Sequence, residues 1–153
     1  MSIGWFDDLP EANTYFTDER LVTEAWDALN NANKTKVIIN GYNRLYYDDR
    51  WDLPTYAEAT PGELARLSRA NGEMAYYLAV HLADEDRRVG LQTQGVRQAG
   101  IVKEAYATAM LENLPVPPFV EALLAPWEVA EGIGISNLAR DENESVTTKV
   151  HDW

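Results

Sequence analysis

"TPGELARLSRANGEMAYYLAVHLAD", residues 60–84, carries the strongest structural signal in the chain. Thr60, Pro61 and Glu63 have the spacing of an N-cap, a first-turn proline and a capping-box glutamate, a pattern that begins a helix. The positions that follow on the apolar face recur at close to 3.6 residues per turn; they are Leu64, Leu67, Met74, Tyr77, Leu78, His81 and Leu82. The sequence therefore predicts one long helix over about 61–84 and, with it, a mainly α-helical fold.

Two shorter helices are predicted on either side of the long one. Asn30 is expected to cap a helix over about 31–48, and Gly41 within it indicates close packing against a neighbouring helix. The apolar face of that helix comprises Val37, Ile38, Tyr42, Leu45 and Tyr46. Pro117-Pro118 indicates the start of a last helix over about 118–125. Its inward residues are expected to be Phe119, Val120, Leu123 and Leu124.

A β-hairpin is predicted beyond the long helix, where the helical period is lost. Strand-forming residues appear there and Gly100 is a candidate turn residue, so we expect strands over about 93–98 and 101–106. The spacing of Gly95 and Gly100 is also that of a phosphate-binding loop. Ile101-Val102 stands where lysine and then serine or threonine must follow, which argues against a phosphate site.

The predicted hairpin needs a surface to pack against, because an isolated two-stranded hairpin is only marginally stable in water. We expect that surface to be a neighbouring subunit or the helical body. The residues assigned to this subunit interface are Val96, Arg97, Ile101, Lys103 and Tyr106.

The composition favours one soluble domain with a strong negative charge. The chain has 153 residues, of which 25 are acidic and 13 basic, for a net charge of −12. The excess acidity lies mainly in residues 1–29 and 128–153. Because nucleic-acid-binding proteins usually present a basic face, this charge argues against general nucleic-acid binding. A locally basic, aromatic stretch keeps single-stranded DNA binding as an alternative; it comprises Arg87, Arg88, Arg97, Lys103 and Tyr106.

The sequence predicts neither an enzyme nor a bound metal or cofactor. It has no cysteine, so a disulfide, a thiolate metal site and a cysteine nucleophile are all excluded. Of the two histidines, His81 is expected in the core and His151 near the C-terminus, and no Ser-His-Asp arrangement is recognisable. Asp84-Glu85-Asp86 lacks the spacing of a calcium loop and is read as the solvated end of the long helix. No apolar run approaches the length of a membrane span.

Three regions are predicted: an irregular N-terminal arm over 1–16, a small helical bundle with the embedded hairpin over 17–126, and an extended C-terminal tail over 127–153. The tail is rich in glycine and acids and cannot bury enough apolar surface to fold alone. It nevertheless carries apolar residues that suit ordering against a partner protein. These are Trp127, Ile133, Ile135, Leu138, Val150 and Trp153.

An ordered set of motifs over about 12–127 resembles the head-tail connector, or adaptor, proteins of tailed bacteriophages. The motifs are Ala12-Asn13-Thr14-Tyr15, Trp26-Asp27-Ala28-Leu29 with Lys34, GVRQAGIVKEAY at 95–106, and PFVEALLAPW at 118–127. Some members of that family carry the label DnaT-like single-stranded DNA-binding protein.

The resemblance implies a structural virion protein of the head-tail neck, assembled in the host cytoplasm. It implies a homo-oligomeric ring, commonly dodecameric, beneath the portal protein, with the C-terminal tail docked into the portal. The other face of the ring would meet a stopper or tail protein, and DNA would pass through the lumen without sequence-specific binding. Two alternatives stay open: a single-stranded DNA-binding replication accessory protein, and another tail-completion protein.

Overall fold

The chain is mainly α-helical, as predicted. The computed structural model describes residues 2–96, 98–99, 104–105 and 114–129. The helices in these residues are α1 (Leu9–Asp18), α2 (Glu24–Asp27), α3 (Asn31–Tyr46), α4 (Pro61–Thr93) and α5 (Pro118–Leu124), which runs on into a 3-10 helix, Ala125–Trp127. The short strands are β1 (Gln98–Ala99) and β2 (Glu104–Ala105). Helices α1, α2, α3 and α5 all pack on α4, so the long helix is the centre of the bundle.

Helix α4 begins at the predicted capping box. The Glu63 carboxylate accepts a hydrogen bond from the Thr60 backbone N–H at 2.8 Å, and the Thr60 hydroxyl accepts one from the Glu63 N–H. These bonds satisfy backbone donors that the first helical turn would otherwise leave unpaired. The hydrogen bond to Thr60 also lowers the pKa of Glu63, so the carboxylate stays ionised at the positive end of the helix.

The predicted end of this helix at Asp84 is wrong, because α4 continues to Thr93 and is about 50 Å long. Asp84 is ion-paired with Arg87 and Arg88 one turn further on, so the acidic run supports the helix instead of ending it. The helix stops at Gly95, which has a φ of +81°. The N–H groups of residues 95 and 96 bond back to the carbonyls of residues 92 and 91, the pattern of a Schellman cap.

The N-terminal region is not the irregular arm that the sequence predicts. Asp8 caps α1 by accepting a hydrogen bond from the Glu11 N–H at 2.9 Å. The aromatic residues before and within α1 are buried in the core; they are Trp5, Phe6, Tyr15 and Phe16. Phe16 stacks on Trp26 of α2 with ring centroids 3.9 Å apart. Large aromatic side chains supply much of the burial in a small domain, so residues 3–18 belong to the bundle.

The predictions for α3 are confirmed. The Asn30 side chain accepts a hydrogen bond from the Asn33 N–H at 2.9 Å, which places the cap at the predicted residue. At Gly41, an added Cβ would lie 3.1 Å from the backbone nitrogen of Ala75. The lack of a side chain at Gly41 therefore allows α3 and α4 to approach closely.

Helix α5 has the predicted position, but only part of its predicted inward face is buried. Val120 and Leu124 are fully buried, and Leu123 packs against the core while remaining partly exposed. Phe119 was expected to turn inward but is 59% exposed. The helix has only two turns, so a single side contacts α4, and Phe119 lies on the other side.

The hairpin falls largely outside the described residues. Strands β1 and β2 pair antiparallel, with Gln98 opposite Ala105 and Ala99 opposite Glu104. The turn between them and the ends of both predicted strands are not described, so the hairpin over about 93–106 stays a prediction. Its proposed start at Thr93 is wrong, because that residue is the last of α4.

Replacing Gly72 by alanine is expected to destabilise the fold, although alanine is the better helix former by about 1 kcal/mol. An added Cβ would lie 2.5 Å and 2.7 Å from two ring carbons of Tyr15. That ring cannot retreat easily, because its hydroxyl is bonded to Glu73. We expect a net loss of about 1–3 kcal/mol from overpacking, measured by urea unfolding.

Gly90→Ala is the matched control, because it lies in the same helix and, among the described residues, no atom outside the adjacent helix backbone lies within 4 Å of the added Cβ. It should raise the free energy of unfolding by about 0.5–1 kcal/mol. Equal effects of the two substitutions would contradict the close contact between α4 and Tyr15.

Candidate interaction surfaces

The start of the predicted C-terminal tail is fixed to the core by backbone pairing. Asp52 donates a backbone hydrogen bond to the carbonyl of Trp127, and Val129 donates one to the carbonyl of Arg50, each at 2.9 Å. These bonds form an antiparallel bridge between Trp51 and Glu128. We call residues 127–129 with residues 50–52 the C-terminal junction. Residues 127–129, which the prediction assigned to the tail, are therefore paired with residues 50–52 of the core.

Trp127, the first of the predicted docking residues, lies in this junction. The Trp127 side chain is partly buried and packs against the hydrophobic core. Its contacts within the chain indicate that Trp127 helps to hold the junction. The remaining docking residues lie outside the described residues; they are Ile133, Ile135, Leu138, Val150 and Trp153.

Arg50 ties the junction to α5. Its guanidinium pairs with Asp48 at 2.7 Å and with Glu121 of α5 at 3.0 Å. The guanidinium carbon also lies 4.4 Å from the centre of the Trp51 ring, within the range of a cation–π contact. The hydrogen bond to Asp48 is the main cause that raises the pKa of Arg50, so the side chain stays charged. The loop before α4 and the last helix therefore form one connected surface.

An open cleft of about 780 Å³ lies at this junction. Its lining residues include Asp49, Glu121 and Glu128 as well as the Arg50 and Trp51 side chains. Three carboxylates around one already paired arginine give the cleft an acidic rim. A partner segment that enters it would be favoured by basic side chains.

The far half of α4 is held to α3 by a buried ion pair. Arg44 lies 2.5 Å from Glu85, and the two side chains are only 11% and 4% exposed. The Tyr77 hydroxyl approaches the same carboxylate at 3.5 Å. The ion pair aligns the part of α4 that leads to the predicted hairpin.

His81, on the same helix, was expected in the core but is exposed. Its ring lies 4.9 Å from that of Tyr77.

Of the predicted interface residues of the hairpin, Val96 alone is described, half-buried and directly after the cap at Gly95. The other four lie outside the described residues; they are Arg97, Ile101, Lys103 and Tyr106.

A polar cluster that sequence reasoning missed joins α1 to α4 through Glu73. The Tyr15 hydroxyl donates to the Glu73 carboxylate at 2.6 Å, and Arg20 is ion-paired with the same carboxylate. Burial of Tyr15, with the Glu73 carboxylate beside it, raises the pKa of its hydroxyl, which therefore remains a donor. The guanidinium carbon of Arg20 also lies over the ring of Tyr76, 3.7 Å from the ring centre. No local sequence pattern indicates this cluster, because its members come from distant parts of the chain.

The described residues do not contain a group of three histidine, aspartate or glutamate side chains arranged to hold a metal ion. None of the helices in the described part of the chain has both the length and the apolar character needed to cross a membrane. No protein-family model, no curated protein and no solved structure matches this chain. Its function is therefore argued from its own residues and surfaces.

Proposed function

We propose that this chain is a head-tail connector protein of a tailed bacteriophage. Its copies form a ring, commonly dodecameric in proteins of this kind, beneath the portal in the neck of the virion. The C-terminal junction is the observation that carries the proposal. Backbone hydrogen bonds tie the chain to the core up to Val129, which gives a binding segment after it a defined starting point. The apolar side chains of residues 130–153 are proposed to bind the portal from that point. Fixing the origin of a binding segment reduces the entropy lost when it docks.

The charges of the described residues suit a DNA channel better than a DNA-binding groove. Most described arginines are ion-paired with carboxylates; these are Arg20, Arg44, Arg50, Arg69, Arg87 and Arg88. An arginine that is already paired with a carboxylate binds a phosphate weakly. DNA affinity depends mainly on lysine and arginine side chains that neutralise phosphates and release their counterions. A ring of subunits with a charge of −12 each would let DNA slide through its lumen without adhering to the wall.

The predicted hairpin, with its start moved beyond the cap at Gly95, is proposed as a subunit contact within the ring. It follows directly on α4, whose far half is held to α3 by the Arg44–Glu85 pair. The hairpin would therefore project from a fixed position toward a neighbour. The opposite face of the ring is proposed to meet a stopper or tail protein.

Native mass spectrometry tests the proposed function directly. The purified chain is measured alone and after mixing with the portal protein encoded in the same genome. We expect a complex whose mass equals one portal ring plus a closed ring of this chain. A ring that forms but does not bind the portal would favour the alternative that this chain is another tail-completion protein. Affinity for single-stranded oligonucleotides that falls steeply with salt, without portal binding, would favour a replication accessory protein.

A further inference from the structure

The turn between α1 and α2 presents two aliphatic side chains to solvent. Leu21 is 98% exposed and Val22 is 55% exposed, and together with their neighbours at 20 and 23 they form what we call the Leu21 turn. The turn is held firmly, because Arg20 is anchored on Glu73 and donates a hydrogen bond to the Val22 carbonyl at 2.9 Å. An apolar group on a firmly held turn loses little conformational entropy when it is buried by a partner.

The same chain carries an apolar groove between α3 and α4. It has a volume of about 350 Å³, at the lower end of sites that hold small ligands and large enough for two aliphatic side chains. Its larger apolar lining residues are Leu29, Val37, Leu78 and Leu82. We call it the α3–α4 groove. The Leu21 turn is thus a convex apolar surface and the α3–α4 groove a concave one.

The charges around the two surfaces fix the orientation in which they can meet. Lys36 stands on the α3 side of the groove with Asn33 and Asn40, and Asp86 stands on its α4 side. The Leu21 turn is flanked by the exposed acids Asp18 and Glu24, which complement Lys36 and are repelled by Asp86, so these acids would lie on the α3 side of the groove. Since each chain carries a charge of −12, copies repel one another unless contacts between opposite charges or between apolar surfaces offset the repulsion.

We propose that the Leu21 turn of one copy of this chain seats in the α3–α4 groove of a second copy. The contact joins two different surfaces of the subunit, which is the kind of contact that closes into a ring when the rotation permits. The proposal rests on the self-assembly part of the proposed function and is independent of portal binding.

Leu21→Asp tests the contact by sedimentation velocity over a range of concentrations. Because Leu21 is 98% exposed, the substitution should leave the fold intact, which circular dichroism checks. We expect self-association to weaken tenfold or more, from the loss of one buried leucine, where tenfold is about 1.4 kcal/mol. Phe119→Asp is the matched control, because Phe119 is an exposed apolar residue on α5. Loss of association in the control but not in Leu21→Asp would overturn the proposal.

A photo-crosslinking residue at position 21 locates the partner surface. In a mixture of ¹⁴N- and ¹⁵N-labelled chains, we expect mixed-isotope crosslinks between position 21 and residues of the groove. Crosslinks to residues 130–153, or to the portal alone, would overturn the proposal. A charge swap adds a second readout: Lys36→Glu should weaken self-association about threefold, and adding Glu24→Lys should restore it. If the chain self-associates through this contact but does not bind the portal, the connector function fails and the contact stands.

Discussion

A chain that ends at Val129 is expected to keep its helical core and to lose portal binding. The cut preserves both backbone hydrogen bonds of the C-terminal junction, so Trp127 remains in place. It removes the apolar side chains of residues 130–153, of which Trp153 is the one most suited to anchor in a pocket. A buried aromatic anchor supplies about 2 kcal/mol or more, and repetition around a ring multiplies the effect. We expect portal affinity to fall by a factor of about 100 or more.

Binding is measured by co-sedimentation of the truncated chain with portal rings, and circular dichroism confirms the core. Trp153→Ala in the full chain is the matched point variant and should show a smaller loss of the same kind. Undiminished portal binding by the truncated chain would contradict the docking role and would move the contact to the helical body.

Glu85→Ala is expected to lower the free energy of unfolding by about 3–5 kcal/mol, because it leaves the Arg44 guanidinium buried without its partner. One nitrogen of that guanidinium, Nη1, is already buried without a hydrogen bond among the described residues. Replacing both partners, as Arg44→Met with Glu85→Leu, should restore most of the stability, since an apolar pair removes the stranded charge. Chemical unfolding followed by circular dichroism gives the values.

The adjacent substitution Asp86→Ala is the control for this experiment. Asp86 lies on the same helix but is exposed, so the change should be within about 0.5 kcal/mol. If Glu85→Ala and Asp86→Ala had equal effects, the buried pair would not hold the far half of α4.

The sequence allowed prediction of those features whose causes are local. The capping box at Thr60 and the cap at Asn30 depend on residues three positions apart, and both are found where predicted. The end of α4 was missed because the acidic residues 84–86 look unfavourable near a helix end. One of them, Glu85, is stabilised by Arg44 on another helix, a contact that the local sequence does not reveal. Gly95 was the available signal, since a glycine after a helix commonly marks its end. It was assigned instead to the hairpin.

The candidate surfaces were less predictable because they join distant segments. The sequence predicted apolar residues after α5, but pairing of residues 50–52 with 127–129 leaves no periodic pattern to read. The N-terminal aromatics likewise lack a helical period, so Trp5 and Phe6 were placed in an arm although both are buried. Trp5 packs on Tyr42 of α3 and Phe6 packs on Tyr15 of α1, contacts between segments that no single segment encodes.

The C-terminal junction has a mechanical consequence for a chain whose end is held by another protein. Its two backbone hydrogen bonds lie across the strand direction, as in any antiparallel pair. Tension directed along the strand loads both bonds in shear, so they must rupture together. Tension directed away from the core peels Val129 first and then Trp127, one bond at a time. The junction therefore resists a pull along its own axis far better than a pull away from the core. The direction of an applied force decides whether the tension is transmitted to the core.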